Sequence, residues 1–132
     1  MFKIDGKNIK LTRGDIAAIE IGITNEIDGS DYEFQAGDIV RFKVFKRKDC
    51  GCVELVKDVK VENPSTTVEI QLTSKDTKIG GIIDKSVDYW YEVELNPDTA
   101  PQTIIGVDYD EELGKDVPAI FKLLPESGDD EW

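Results

Sequence analysis

The sequence predicts an all-β fold, a β-sandwich of about seven or eight short strands joined by turns. Three observations carry that expectation. Val87 to Leu95 alternates without a break, so Val87, Tyr89, Tyr91, Val93 and Leu95 share one face while Asp88, Trp90, Glu92 and Glu94 share the other. The same period recurs in several other segments. Turn residues interrupt the chain about every ten positions, without the repeating glycine kinks that would close a barrel.

Taken in order, Phe2 to Ile4 and Asn8 to Leu11 flank Asp5-Gly6-Lys7, and an Asp-Gly pair between apolar runs signals a hairpin. Ile16 to Thr24 places Ala17, Ile19, Ile21 and Ile23 on one face, and Asp28-Gly29-Ser30-Asp31 turns the chain after it. Asp38 to Lys46 sends Val40, Phe42 and Val44 inward and Arg41, Lys43 and Lys46 outward. Phe45 breaks that rule and needs cover from a neighbour or a partner. Cys52 to Lys60 is the expected return strand, with a bulge where the phase changes near Leu55-Val56. Asn63-Pro64-Ser65 is a turn whose proline disqualifies it as a glycosylation acceptor, and Val68, Ile70 and Leu72 form the next apolar face.

Thr73-Ser74-Lys75-Asp76 carries a hydroxyl N-cap with an acid three residues on, and Gly80-Gly81 ends the segment two turns later, so one short helical crossover is expected there. After Val87 to Leu95, Asn96-Pro97-Asp98 turns the chain. Gln102 to Val107 then runs outward and Ala119 to Leu124 returns, with a long polar hairpin loop from Asp108 to Lys115 between them. Residues 1–124 form one sandwich domain, and 125–132 is an acidic tail without periodicity, expected to be disordered.

Composition narrows the function. Sixteen Lys and Arg against 28 Asp and Glu give a net charge of -12, a field that repels nucleic acid and anionic membrane surfaces. No apolar run is long enough to span a bilayer, and the first residues lack the parts of a signal peptide, so the chain is expected to be made and kept in a cytoplasm, at least until assembly. Histidine is absent, which removes histidine-dependent catalysis, and no carboxylate pair is singled out among the many acids. The reading is a binding or scaffold domain without cofactor, not an enzyme. In an extended strand the Cα atoms of Cys50 and Cys52 would lie about 6.5–7 Å apart, at the far, strained limit for a bridge, while a Cys-Gly-Cys turn could close as a labile redox pair or offer half of a soft-metal site. Two small residues at a hairpin end are the plainer account, since no other Cys or His completes a zinc site.

Several surface groups invite a functional reading beside a plainer one. Trp90 lies among acids on the face that meets water, where a large aromatic is either covered by its own chain or serves as an interface or sugar-stacking anchor. Lys43, Lys46, Arg47 and Lys48 put a basic cluster at a hairpin tip, either a solvated turn or a pole that orients a partner. Asp108, Asp110 and Glu112 alternate like the first ligands of a calcium loop. Leu113 occupies the position where that loop needs glycine, and Ala119 the position of its bidentate acid, so a solvated loop is the plainer account. Tyr109 in the same loop is a further aromatic candidate. Arg13-Gly14-Asp15 matches an adhesion tripeptide and equally a turn launching the next strand.

Three segments together resemble the N-terminal domain of phage baseplate upper proteins from viruses of Gram-positive bacteria. They are Leu11-Thr12-Arg13-Gly14-Asp15, Leu72-Thr73-Ser74-Lys75-Asp76-Thr77-Lys78-Ile79-Gly80 and Asp88-Tyr89-Trp90-Tyr91-Glu92-Val93-Glu94-Leu95, and the likeness covers about residues 2 to 124. The resemblance implies an immunoglobulin-like antiparallel β-sandwich that docks on a tail tip without catalysis. It also implies structural roles for these segments: a turn entering the sandwich, a crossover between sheets and a central strand. The functional expectation is a tail or baseplate protein whose partners are other tail proteins or further copies of itself. The alternative is a small carbohydrate-binding module using Trp90, Tyr91 or Tyr109 as a stacking platform.

Overall fold

The alternating segments pair into sheets and turn their apolar faces to the core. The computed structural model describes residues 2–5, 8–23, 29–46, 53–80, 85–105, 108–110, 112–117 and 119–125. Cys50, Cys52 and the tail from 126 to 132 lie outside the described residues. The strands are β1 (Phe2–Asp5), β2 (Asn8–Thr12), β3 (Ala17–Ile21), β4 (Ile39–Phe45), β5 (Val53–Lys60), β6 (Val68–Leu72), β7 (Val87–Leu95), β8 (Gln102–Ile105), β9 (Asp108–Asp110), β10 (Lys115–Val117) and β11 (Ile120–Leu124). Among the described residues there is no helix.

A seven-stranded mixed sheet runs β1-β2-β11-β7-β4-β5, with β8 also on β7, while β3 pairs with β6 and β9 with β10 in two small sheets. β7 is the centre of the large sheet. One of its edges takes β4 from Val40↔Leu95 to Phe45↔Trp90. β11 covers Val87–Trp90 and β8 covers Val93–Leu95. β2 and β11 run parallel, and the pairing is extended by the Arg13 amide donating to the Leu124 carbonyl at 3.0 Å.

The inward faces meet in one core. Val40, Phe42 and Val44 of β4, Tyr89, Tyr91, Val93 and Leu95 of β7, and Phe121 and Leu123 of β11 share a cluster with Ile19 and Ile21 of β3 and Val68, Ile70 and Leu72 of β6. The small β3–β6 sheet therefore forms a second layer over the large one. Phe42 lies 5.4 Å from Tyr91 and 6.1 Å from Phe121 between ring centroids, and each such buried ring contributes about 1.5–3 kcal/mol of transfer free energy. The bulge falls where the sequence changes phase. Val44 opposes Leu55 but Phe45 opposes Val53, so Glu54 is the extra residue.

Three expectations are corrected. The sheets are not all antiparallel, because β2 pairs parallel to β11, and the described residues form eleven strands rather than seven or eight. Gln102–Val107 and Ala119–Leu124 are not each other's hairpin partners. β8 and β11 instead line up end to end along one edge of β7, which at nine residues is long enough for both. Between them, part of the expected polar loop pairs as β9 and β10, from Lys115↔Asp110 to Val117↔Asp108. The helical crossover is not formed either. Its capping box is present: the Asp76 amide donates to Thr73 Oγ1 at 3.2 Å and the Thr73 amide to Asp76 Oδ2 at 2.9 Å. Only one i→i+4 bond is added, from the Thr77 amide to the Thr73 carbonyl at 3.2 Å, before Gly80 takes φ +67°. One turn is shorter than a helix nucleus needs to propagate, and the segment stays a turn held by its side chains.

Candidate interaction surfaces

Period-two alternation fixes what the large sheet shows on its outward face. Phe45, Trp90 and Ile120 stand directly opposite one another across β4, β7 and β11, and Val53 of β5 continues the row beyond Phe45. Neighbouring strands lie about 4.8 Å apart, so these four apolar side chains make a band roughly 14 Å long. Phe45 is only 6% exposed yet stands outside the main core cluster, so the cover that its position demanded exists on the outer face. Trp90 is half-buried, and Val53 is 48% exposed.

Ion pairs stand on the same face, the Arg41 group two rows from the band with exposed Val56 of β5 in the row between. Arg41 donates from Nε to Asp58 Oδ1 at 2.8 Å and from Nη2 to Asp58 Oδ2 at 3.0 Å, and also reaches Asp98 at 3.2 Å. This bidentate contact holds the Asp58 carboxyl below its ordinary range. Lys43 pairs with Glu94 at 3.1 Å and Lys122 with Asp88 at 3.6 Å. The face is thus a narrow apolar row between matched charges, an arrangement in which the bases of an acidic protein are already neutralised by neighbours.

A second constellation joins the Thr12–Asp15 turn, the Thr73–Gly80 turn and β7. Thr12 to Asp15 forms a β-turn, with the Asp15 amide donating to the Thr12 carbonyl at 3.0 Å and Gly14 at φ +90° in the position that favours glycine. Arg13 is 9% exposed, its Nε donating to the Ile79 carbonyl at 3.3 Å and Nη2 to the Gly80 carbonyl at 3.0 Å. Thr77, fully buried, accepts from the Gly14 amide at 3.0 Å and donates to the Asp15 carbonyl at 2.7 Å. A Cβ on Gly80 would stand 3.3 Å from the Tyr89 hydroxyl. With its arginine buried, the Arg13-Gly14-Asp15 tripeptide cannot present itself for adhesion and acts as a structural clamp.

A third cluster closes the opposite end of the large sheet. Asp38 accepts from the Gln35 amide at 2.9 Å, the Tyr32 hydroxyl at 3.0 Å and Asn96 Nδ2 at 3.2 Å, while Asn96 Oδ1 accepts from the Ile39 amide at 2.9 Å. The Gln35 amide above all, against the opposing effect of partial burial, holds the Asp38 carboxyl below its ordinary range. Asn96 has φ +48°, which its turn requires.

The structure also places the remaining sequence candidates. Lys46 is exposed at the end of β4, and Arg47 and Lys48 lie outside the described residues. Tyr109, Asp108 and Asp110 have described backbone in β9, but their side chains lie outside the described residues; Glu112 is exposed in the β9–β10 turn. Sequence reasoning read Asn96 only as a turn residue and did not single out Thr77, Asp38 or the fully buried Phe34, whose amide donates to the Ser65 carbonyl at 2.7 Å. Among the described residues no helix is long and apolar enough to cross a membrane. Comparison with protein-family models, with curated proteins and with solved structures gives no match.

Proposed function

We propose that the domain is a non-enzymatic structural protein of a phage or prophage tail or baseplate, an immunoglobulin-like sandwich that works by protein contacts in the virion or during its assembly. The strand order supports the fold. β11-β7-β4-β5 on one layer with β3-β6 on the other follows the G-F-C-C′ and B-E arrangement of immunoglobulin variable-type sandwiches. The convergence of Arg13, Thr77, Gly80 and Tyr89 supports the resemblance, because the similar segments form one contact set.

The observation that carries the functional reading is the Val53–Phe45–Trp90–Ile120 row on an outward sheet face. A half-buried tryptophan at the centre of an apolar band bordered by charges has the make-up of an interface hot spot. Co-expression with tail-tip proteins from phages of Gram-positive bacteria, followed by co-purification, tests it. Wild-type protein should be retained, and Trp90→Ala should lose the partner while melting within a few degrees of wild type. A strict monomer that captures none of these proteins would refute the reading. Glycan-array binding that disappears in Trp90→Ala would assign the surface to a carbohydrate instead.

A further inference from the structure

The small sheet presents a different surface, independent of the tail reading. β3 and β6 pair only with one another among the described residues, from Ala17↔Leu72 to Ile21↔Val68. β6 lies beside β5, which leaves β3 as the open edge among the described residues. Proteins usually guard such an edge with lysine, proline or a bulge, and Ala17-Ala18-Ile19-Glu20-Ile21 has none of these.

The outward side of this sheet is divided in two. At one end Ile16, Ala17, Ala18, Gln71, Leu72 and Thr73 line an open, mostly apolar groove of about 570 Å³, and Ile16 is 75% exposed. The small side chain of Ala18 makes the depression. At the next outward row Glu20 stands directly opposite Glu69, and Gln71 Nε2 donates to Glu69 Oε1 at 2.7 Å. Like charges in direct cross-strand opposition destabilise a sheet, and a cation placed between them removes that cost.

We propose that β3 is a docking edge for an extended segment of a partner protein that adds as an antiparallel strand, seating a large aliphatic side chain over Ala18 and a lysine or arginine against Glu20 and Glu69. The two rows are about 6.7 Å apart, the separation of residues i and i+2 in a strand, so the motif is a base and an aliphatic residue on one face. Charge decides among occupants. The chain's own tail carries Glu126, Asp129, Asp130 and Glu131 with no base, and a second copy brings another net charge of -12 to an acidic edge.

The test is an NMR titration of the full chain with the blocked peptide Thr-Lys-Val-Leu-Val-Thr-Thr and its counterpart with Glu in place of Lys. The lysine peptide should shift the amides of Ala17 to Ile21 in preference to those of Val68 to Leu72, and the glutamate peptide should bind at least about tenfold more weakly. The Glu20→Lys/Glu69→Lys variant should reverse that preference. No shift on β3 with millimolar peptide, or equal binding of the two peptides, overturns the proposal. So does a concentration-dependent dimer whose β3 amides are protected without peptide, since the edge would then belong to a second copy.

Discussion

Thr77→Val isolates the clamp between the two turns, because valine keeps the shape of threonine and removes only its hydroxyl. That hydroxyl is fully buried, takes the Gly14 amide proton at 3.0 Å and gives its own proton to the Asp15 carbonyl at 2.7 Å. Each bond contributes about 0.5–1.5 kcal/mol net, and a partly buried amide deprived of its acceptor adds a desolvation penalty of about 1 kcal/mol. The sum is about 2–4 kcal/mol, which for a domain of this size lowers the melting temperature by roughly 10 °C. Thr77→Ser keeps both bonds and loses one methyl, costing only about 1 kcal/mol. Thermal unfolding of the three proteins, with exchange of the Gly14 amide followed by NMR, reads both effects. Thr77→Val melting within about 2 °C of wild type, or Thr77→Ser falling as far as Thr77→Val, would refute the account of the clamp.

Gly80→Ala should lower stability by about 1–2 kcal/mol in urea unfolding, since Gly80 has φ +67° and a Cβ there meets the Tyr89 hydroxyl at 3.3 Å. The Asp38 carboxyl is held below its ordinary range, so its contribution is present above the unfolded-state value near pH 4 and is lost as pH falls through the folded one; Asp38→Asn should flatten that part of the acid unfolding curve. Burial pushes the Tyr91 hydroxyl up to about 12, so its contribution is complete below pH 10 and disappears as pH rises through 12. Tyrosinate absorbance should therefore rise together with unfolding, and Tyr91→Phe should delay the alkaline transition. Replacing Arg41 with methionine should leave the urea midpoint close to that of wild type, because its two acidic partners are themselves largely solvated.

Where a segment alternates without interruption, its place in the fold can be read from the residues alone. Val87 to Leu95 shows this most fully: its five apolar positions face the core and Trp90 faces out, because a period of two leaves a strand no other way to bury them. The bulge is legible as a phase change and falls one residue from its expected place. Pairing is harder, since the sequence of β8 and β11 does not state that both share one edge of β7. The capping box at Thr73 forms the hydrogen bonds that its residues predict but not the helix, because the same two bonds also stabilise a single turn. Asp38 and Asn96 sit in local turns, but the bond between them, like those of Thr77 to Gly14 and Asp15, has no local signature. Their partners lie up to 63 residues away, and only the folded chain brings them together.

The placement of the resembling segments separates what they can say from what they cannot. Arg13, Thr77, Gly80 and Tyr89 are buried or in contact with one another, so their residue types are fixed by turn geometry, hydrogen bonding and close packing. Residue types fixed in this way report the fold and are silent about partners. The two proposed docking surfaces lie where substitution leaves the fold intact: the outward row through Trp90 and the β3 edge beside Glu20 and Glu69. These two surfaces lie on opposite layers and differ in chemistry, one an aromatic band between neutralised charges and the other an acidic edge with an aliphatic groove. They can therefore be disabled independently. Trp90→Ala should abolish capture of a tail-tip partner without altering the NMR response to the lysine peptide, and Glu20→Lys/Glu69→Lys should do the reverse. If either variant removed both activities, the two faces would be coupled through the shared core and could not be independent docking sites.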